Sequence, residues 1–234
     1  MVPVSFASFL FAGEPWALSE AGALWWPRQR ALVVADLHLE KASWFAARGQ
    51  MLPPYDSRVT LERLLADLSA CGAEHIYALG DSFHDRAGPE RLEPGAHALL
   101  AQVAGRADIL WIDGNHDSGA HGACQPEALV GGIRQRHEAL RDEPAPELSG
   151  HFHPKLRNVA GRRIGRPCLL RTPRRMILPA YGALTGGLDA GHAAIRAALA
   201  PGEPIDALIA AQGRIARFAL PDSAQPAAGR QRRA

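Results

Sequence analysis

Three apolar runs separated by helix-like segments constrain the fold of this chain more than any other feature. The runs cover residues 31–35, 75–79 and 108–112. Apolar residues at helical spacing lie between the first two, over residues 57–71, and a second helical segment, 94–103, lies between the last two. Buried strands that alternate with helices predict a parallel sheet with right-handed crossovers. We therefore expect an α/β fold.

The rest of the chain predicts further strands and helices. Residues 3–27 alternate apolar pieces with turn-forming residues, which predicts two or three antiparallel strands. Ser57 is the expected N-cap of the 57–71 helix, and Gly72 its C-terminal stop. Further strands are expected at residues 156–159, 164–170, 176–178 and 215–220, and further helices at residues 40–47 and 189–200.

Composition bounds the class of protein. A chain of 234 residues with 47% hydrophobic and 21% charged residues fits one globular domain, which we place at residues 1–220. Residues 221–234, rich in Ala, Gln and Arg, predict a disordered tail. The three cysteines form no C-x-x-C pair, which argues against a thiolate zinc site and favours a reducing compartment. No signal peptide or membrane span is readable, so a cytoplasmic location is expected.

Polar clusters follow several of the predicted strands. Carboxylate, amide and imidazole side chains at the ends of strands are expected to share one edge of the sheet, where α/β folds place their chemistry. The residues concerned are Asp36, His38, Asp81, Asn115, His116, Asp117, His137, His151 and His153.

The spacing within these clusters favours metal binding. Asp36 and His38 are two residues apart, as are His151 and His153, so in extended backbone each pair leaves the same face of the chain. The two oxygens of Asp81 suit a carboxylate that bridges two ions. Mixed oxygen and nitrogen ligands accept Mn, Fe, Zn or Ni.

The ordered motifs resemble those of the calcineurin-like metallophosphoesterases. The family pattern D-x-H, G-D, G-N-H-D/E, a lone His and G-H-x-H is met in order across 118 residues, from Asp36 to His153. The resemblance implies a four-layer α/β/β/α sandwich with two mixed sheets flanked by helices. It also implies two divalent ions, one held by Asp36, His38, Asp81 and His153 and the other by Asp81, Asn115, His137 and His151.

The same resemblance implies the chemistry. A water shared by the two ions would attack phosphorus, His116 would act on the phosphoryl group or the leaving oxygen, and Asp117 would orient His116. His84 and Asp85 could support the site or cap their loop, and His121 could contact substrate.

Longer segments, such as residues 79–84 and 178–187, resemble ligase-associated DNA-damage-response endonucleases called PdeM, which are related to the nuclease SbcD. This implies a Mn²⁺-dependent DNA phosphodiesterase that works in DNA repair, with a ligase, helicase or exonuclease as possible partners. Two alternatives stay open: a small-molecule or nucleotide phosphatase or phosphodiesterase with the same metal site, and a non-catalytic scaffold.

Charge is distributed unevenly along the chain, although the net charge is only +2. No acidic residue occurs between Leu148 and Leu188, whereas this stretch holds eight basic residues. Such a basic block suits a polyanionic substrate, because positive charge near a cleft attracts phosphates. The alternative is that these side chains are simply the solvated faces of strands.

Overall fold

The computed structural model describes residues 4–116, 124–159 and 162–221. Asp117, His121 and most of the predicted tail lie outside the described residues. Within those ranges, none of the helices combines the length and the apolar character needed to cross a lipid bilayer.

The first large sheet contains six strands in chain order. Its first four strands are antiparallel, and the last three run parallel to one another. The strands are β1 (Phe6–Phe11), β2 (Glu14–Ser19), β3 (Leu24–Trp26), β4 (Ala31–Val34), β5 (His75–Leu79) and β6 (Asp108–Ile112). The predicted antiparallel start and parallel β-α-β-α-β run are therefore both confirmed.

Four helices lie between β4 and β6 in the chain. They are α1 (Lys41–Ala46), α2 (Asp56–Cys71), α3 (Gly88–Arg91) and α4 (Pro94–Ala104). Gly72 ends α2 in a left-handed conformation at φ 67°, as predicted. The predicted N-cap is wrong: Tyr55 occupies that position. The hydroxyl of Ser57 instead donates to the Glu40 carboxylate at 2.7 Å, so this serine ties α2 to the loop before α1.

The second large sheet contains seven strands in the order β15-β14-β12-β13-β9-β8-β7. A separate hairpin, β10 (Lys155–Val159) and β11 (Arg162–Pro167), stands outside both large sheets. The seven strands are β7 (Glu127–Val130), β8 (Ile133–Arg136), β9 (Glu147–Ser149), β12 (Leu169–Arg171), β13 (Arg175–Ile177), β14 (Ile205–Ala211) and β15 (Arg214–Leu220).

Two sequence predictions in this half need correction, and one strand is absent from the predictions. The strand expected at residues 164–170 is two strands, because at Cys168 the chain bonds to the Pro154 carbonyl before β12 pairs with β14. The helix expected at residues 189–200 is only α5 (Ala193–Ala198), since the His192 side chain caps it by accepting from the amide of Ala194. Strand β14 was not predicted.

Three clusters of buried side chains arrange these elements in layers. One cluster joins the inner faces of the two large sheets, where the Trp16 and Trp26 rings stack 4.5 Å apart. A second packs the outer face of the first sheet against α2 and α4. A third packs the outer face of the second sheet against α5, through Ile195. The predicted α/β fold with two mixed sheets flanked by helices is thus confirmed.

A buried arginine holds the loop that joins β8 to β9. Arg175 is only 2% exposed, and its guanidinium donates to the carbonyls of Leu140, Arg141 and Glu143. His137 stands at the start of this loop, so the arginine fixes the segment that presents a predicted ligand.

Arg175→Met should lower the free energy of unfolding by about 3 kcal/mol or more, since it leaves buried carbonyls without a donor. Urea denaturation would measure the loss. Arg28→Met is the matched control: that arginine is 69% exposed and pairs with Glu14, so a change of about 0–1 kcal/mol is expected. Equal losses in the two variants would contradict this account of the loop.

Candidate metal centre

The predicted ligand loops meet at the carboxyl ends of the parallel strands. The amide of Asp36 donates to the carbonyl of Gly80 at 3.2 Å, and the amide of His38 donates to that of Asp81 at 2.9 Å. A third bond, from Leu39 to Ser82 at 2.9 Å, continues the pairing. The loops after β4 and β5 are therefore joined by backbone bonds beyond the sheet itself, which holds their side chains at fixed separations.

Several predicted ligands adopt backbone conformations that side chains normally avoid. A left-handed φ costs a non-glycine residue roughly 1–2 kcal/mol, so such residues persist only where the surroundings hold them, commonly at functional sites. The predicted ligands with positive φ are Asp36 (55°), His38 (44°), Asp81 (48°), His151 (70°) and His153 (46°).

Two motif glycines allow the carboxylates to reach their positions. A Cβ at Gly114 would overlap the backbone nitrogen and the carboxylate of Asp81. A Cβ at Gly150 would overlap the carboxylate of Asp36. Glycine is required at both positions because the next loop passes directly over a carboxylate.

Asp36, His38 and His153 form one half of the site. An Asp36 carboxylate oxygen lies 3.3 Å from Nε2 of His153, and Nε2 of His38 lies 3.3 Å from the same nitrogen. The amide of His151 donates to Asp36 at 2.9 Å and orients its carboxylate. One ligand atom from each of Asp36, His38 and His153 lies within 4.8 Å of the other two, close enough to hold a single ion.

Asp81, His137, His151 and Asn115 form the other half. Nδ1 of His137 donates to the carbonyl of Leu79 at 3.0 Å, which leaves Nε2 as the acceptor nitrogen in the neutral ring. That Nε2 lies 3.5 Å from an Asp81 oxygen and 3.1 Å from Nδ1 of His151. The Asn115 amide contacts Nδ1 of His151 at 3.4 Å. Asp81 also lies 3.8 Å from Nε2 of His38, so its carboxylate stands between the two halves.

His116 lies beside these side chains but is more open. Its side chain is 46% exposed, and Nε2 is 3.9 Å from the Asp81 carboxylate. Its backbone amide donates to the other oxygen of Asp81 at 3.0 Å. Nδ1 lies 3.1 Å from the carbonyl of His84 and donates to it, which fixes the ring and leaves Nε2 free. The sequence assigned this orienting role to Asp117, which lies outside the described residues.

Sequence reasoning left the roles of His84 and Asp85 open, and the structure separates them. The ring of His84 stacks on that of His116 with centroids 5.0 Å apart, and its Nδ1 lies 3.3 Å from Nδ1 of His38. Asp85 instead forms an ion pair with Arg91 at 2.5 Å. His84 thus supports two predicted site residues, whereas Asp85 stabilises its own loop.

The electrostatics of the site fit a bound cation. Asp36 and Asp81 are buried, and within the described residues neither forms an ion pair with lysine or arginine. Burial raises the pKa of Asp81, so its negative charge lacks compensation. Burial and the neighbouring His153 lower the pKa of His38 to about 2, and burial also lowers that of His151. Neutral imidazoles facing buried carboxylates are the donor set that a divalent ion requires.

Comparison with solved structures identifies a nuclease with a similar overall structure. The structure is similar to the crystal structure of the Pseudomonas putida nuclease MPE, with a TM-score of 0.67 and 25% sequence identity. The alignment covers 92% of this chain and 100% of that one. A scan against protein-family models and a search of curated proteins found no match. The likeness therefore spans nearly the whole chain.

The pKa of His38 predicts a pH-dependent stability in the presence of a chelator. The unfolded chain binds a proton at His38 with a pKa near 6.5, whereas the folded chain does not until about pH 2. Stability is therefore full above this range and falls as the pH drops below 6.5. Between pH 6.5 and 5.5 the wild type should lose about 1 kcal/mol more than His38→Gln does. Urea denaturation in EDTA would test this; parallel pH profiles would show that His38 is not buried in its neutral form.

Proposed function

We propose that this chain is a metal-dependent phosphodiesterase that hydrolyses DNA. The seven predicted ligands would hold two divalent ions, with Mn²⁺ as the preferred metal. The observation that carries the proposal is the position of the Asp81 carboxylate. Its oxygens lie within 4 Å of ring nitrogens from three loops, those of His38, His116 and His137. A single buried carboxylate reached from both halves is suited to serve two ions at once.

The protein residues would divide the work as follows. Asp36, His38 and His153 would hold one ion, and His137, His151 and Asn115 the other, with Asp81 shared between them. When bound, such ions polarise a phosphoryl group and acidify water. Burial lowers the pKa of His38 and of His151, so protons compete little with a metal ion for these two rings near neutral pH.

His116 is placed to handle the leaving group. Its Nδ1 donates a hydrogen bond to the His84 carbonyl, which leaves the second nitrogen, Nε2, for the substrate. In the protonated ring Nε2 carries a proton that it can donate to a leaving oxygen. The stacked ring of His84 keeps this nitrogen pointed toward the substrate side.

The choice of DNA over a small phosphoester is supported by the likeness to a nuclease across almost the whole chain. The finer resemblance to PdeM and SbcD supports a further proposal, that the enzyme acts in DNA repair beside a ligase, helicase or exonuclease. We also propose that the protein is located in the cytoplasm.

Asp81→Asn should remove most of the bound metal and abolish activity, because it removes one of the two carboxylates at the first ion and the only carboxylate at the second. Elemental analysis of the dialysed protein, with hydrolysis assays in Mn²⁺, would measure both effects. Asp108→Asn makes the same chemical change on a side chain that is 94% exposed at the start of β6, and it should alter neither. Retention of full metal content by Asp81→Asn would refute the shared-carboxylate arrangement.

His116→Gln should keep the metals and lower kcat by about 10²- to 10⁴-fold, the usual contribution of a positioned acid. His75→Gln, on a half-exposed ring at the start of β5, is the control and should behave as wild type. Loss of metal together with activity in His116→Gln would make this histidine a ligand instead of an acid.

Hydrolysis rates measured on three substrates in Mn²⁺ would identify the substrate class. The substrates are bis-(p-nitrophenyl) phosphate, p-nitrophenyl phosphate and plasmid DNA. Cleavage of the diester and the plasmid is expected. Turnover of the monoester alone would favour the small-molecule phosphatase, and absence of turnover with metals bound would favour a scaffold.

A further inference from the structure

The structure separates five residues of the basic block into two parts with different surroundings. The arginines of β12, β13 and the turn between them are occupied within the fold. Arg171 pairs with Asp206 at 2.8 Å, Arg174 donates to the carbonyl of Pro144, and Arg175 is buried. These three charges serve the second sheet and its loops, so they are not available to a ligand.

The other part lines a cleft together with a residue from α2. Lys155 and Arg166, on neighbouring strands of the β10–β11 hairpin, and Arg63 face a cavity of about 450 Å³. Leu18 and Pro179 contribute apolar walls.

Charge in this cleft is poorly compensated. Arg63 donates to the carbonyl of Tyr181 and Lys155 to that of Thr185, each at 3.1 Å. Arg166 is exposed, and in the described part of the chain its side chain forms no hydrogen bond or ion pair. None of the three forms an ion pair with a described carboxylate. The acidic residue at the cleft, Glu20, accepts hydrogen bonds from the amide of Gln212 and the hydroxyl of Ser5. Three cations against one occupied carboxylate leave a net positive cleft.

The cleft shares a wall with the candidate metal centre. Five residues of the segment 179–185 line the cleft, and the same segment bonds to the first ligand loop. The amide of Tyr181 donates to the carbonyl of Ala35 at 2.9 Å, and that of Gly182 to the carbonyl of Asp36 at 3.2 Å. On the hairpin side, Lys155 follows the predicted ligand His153 by two residues. The cleft and the candidate metal centre are therefore neighbours in the fold.

We propose that this cleft holds a backbone phosphate of the nucleic-acid strand whose neighbouring phosphate is cleaved at the metal centre. The inference rests on the proposed function and adds a second anchoring point, formed by Arg63, Lys155 and Arg166. Guanidinium and ammonium groups facing one cavity bind phosphate oxygens of any sequence, which positions a strand without reading its bases. A small phosphodiester fills only the metal centre and does not reach the cleft.

The test compares a single-stranded oligonucleotide with bis-(p-nitrophenyl) phosphate in the same Mn²⁺ buffer, over a series of salt concentrations. For Arg166→Gln and for Lys155→Gln, the ratio of kcat/KM on the oligonucleotide to that on the small diester should fall several-fold. The dependence of log(1/KM) for the oligonucleotide on log[salt] should become shallower by about 0.7 for each phosphate contact removed. Arg106→Gln is the matched control, since Arg106 is exposed beyond α4 at the opposite edge of the sheet, where it bonds to Ser69.

The outcomes separate this inference from the proposed function. If the wild type cleaves the small diester and the Arg166 and Lys155 variants keep the wild-type ratio and salt slope, the cleft proposal is wrong and the proposed phosphodiesterase stands. Absence of diester hydrolysis by the wild type would overturn both. If the variants weaken inhibition by inorganic phosphate but leave the oligonucleotide KM unchanged, the cleft binds free phosphate instead of a strand, and the proposal also fails.

Discussion

Two buried carboxylates without basic partners set the central constraint on this structure. Asp36 and Asp81 lie at the ends of parallel strands, and the side chains that approach them are imidazole rings, among which burial lowers the pKa of His38 to about 2. Such an arrangement is electrostatically unfavourable until a cation enters, because each carboxylate carries a charge that the described neighbours do not balance. The loops and sheets around the site hold these groups together so that they can receive a metal.

The site residues are held together mainly by backbone contacts. The loops after β4 and β5 are bonded to each other, the Gly182 amide bonds to the carbonyl of Asp36, and Gly114 and Gly150 allow neighbouring loops to pass over the carboxylates. The strain of the left-handed ligand residues is offset by these bonds and by the sheets behind them. These backbone bonds, with the packed sheets behind them, hold the site residues at fixed positions.

Much of the fold and of the site could be read from the sequence because both follow local patterns. Asp36, Asp81 and Asn115 come within three residues of the ends of apolar strands, and the 3.6-residue spacing of leucines marks α2. His84 was left undecided, since its ring contacts with His38 and His116 arise between loops and leave no spacing signal. Arg175 reads as an ordinary strand arginine, and its buried role depends on carbonyls more than 30 residues away. Strand β14 carried a readable signal, an apolar run between Pro204 and Gly213, but its alanines fit a helix equally well.

The central claim is that the carboxylate of Asp81 is shared by two ions, and diffraction from crystals grown in Mn²⁺ tests it most directly. Anomalous difference maps should show two peaks on either side of Asp81, roughly 3.5–4 Å apart, the spacing typical of two-metal sites. One peak should lie among Asp36, His38 and His153, and the other beside His137 and His151. A single peak, or manganese bound away from Asp81, would contradict the account.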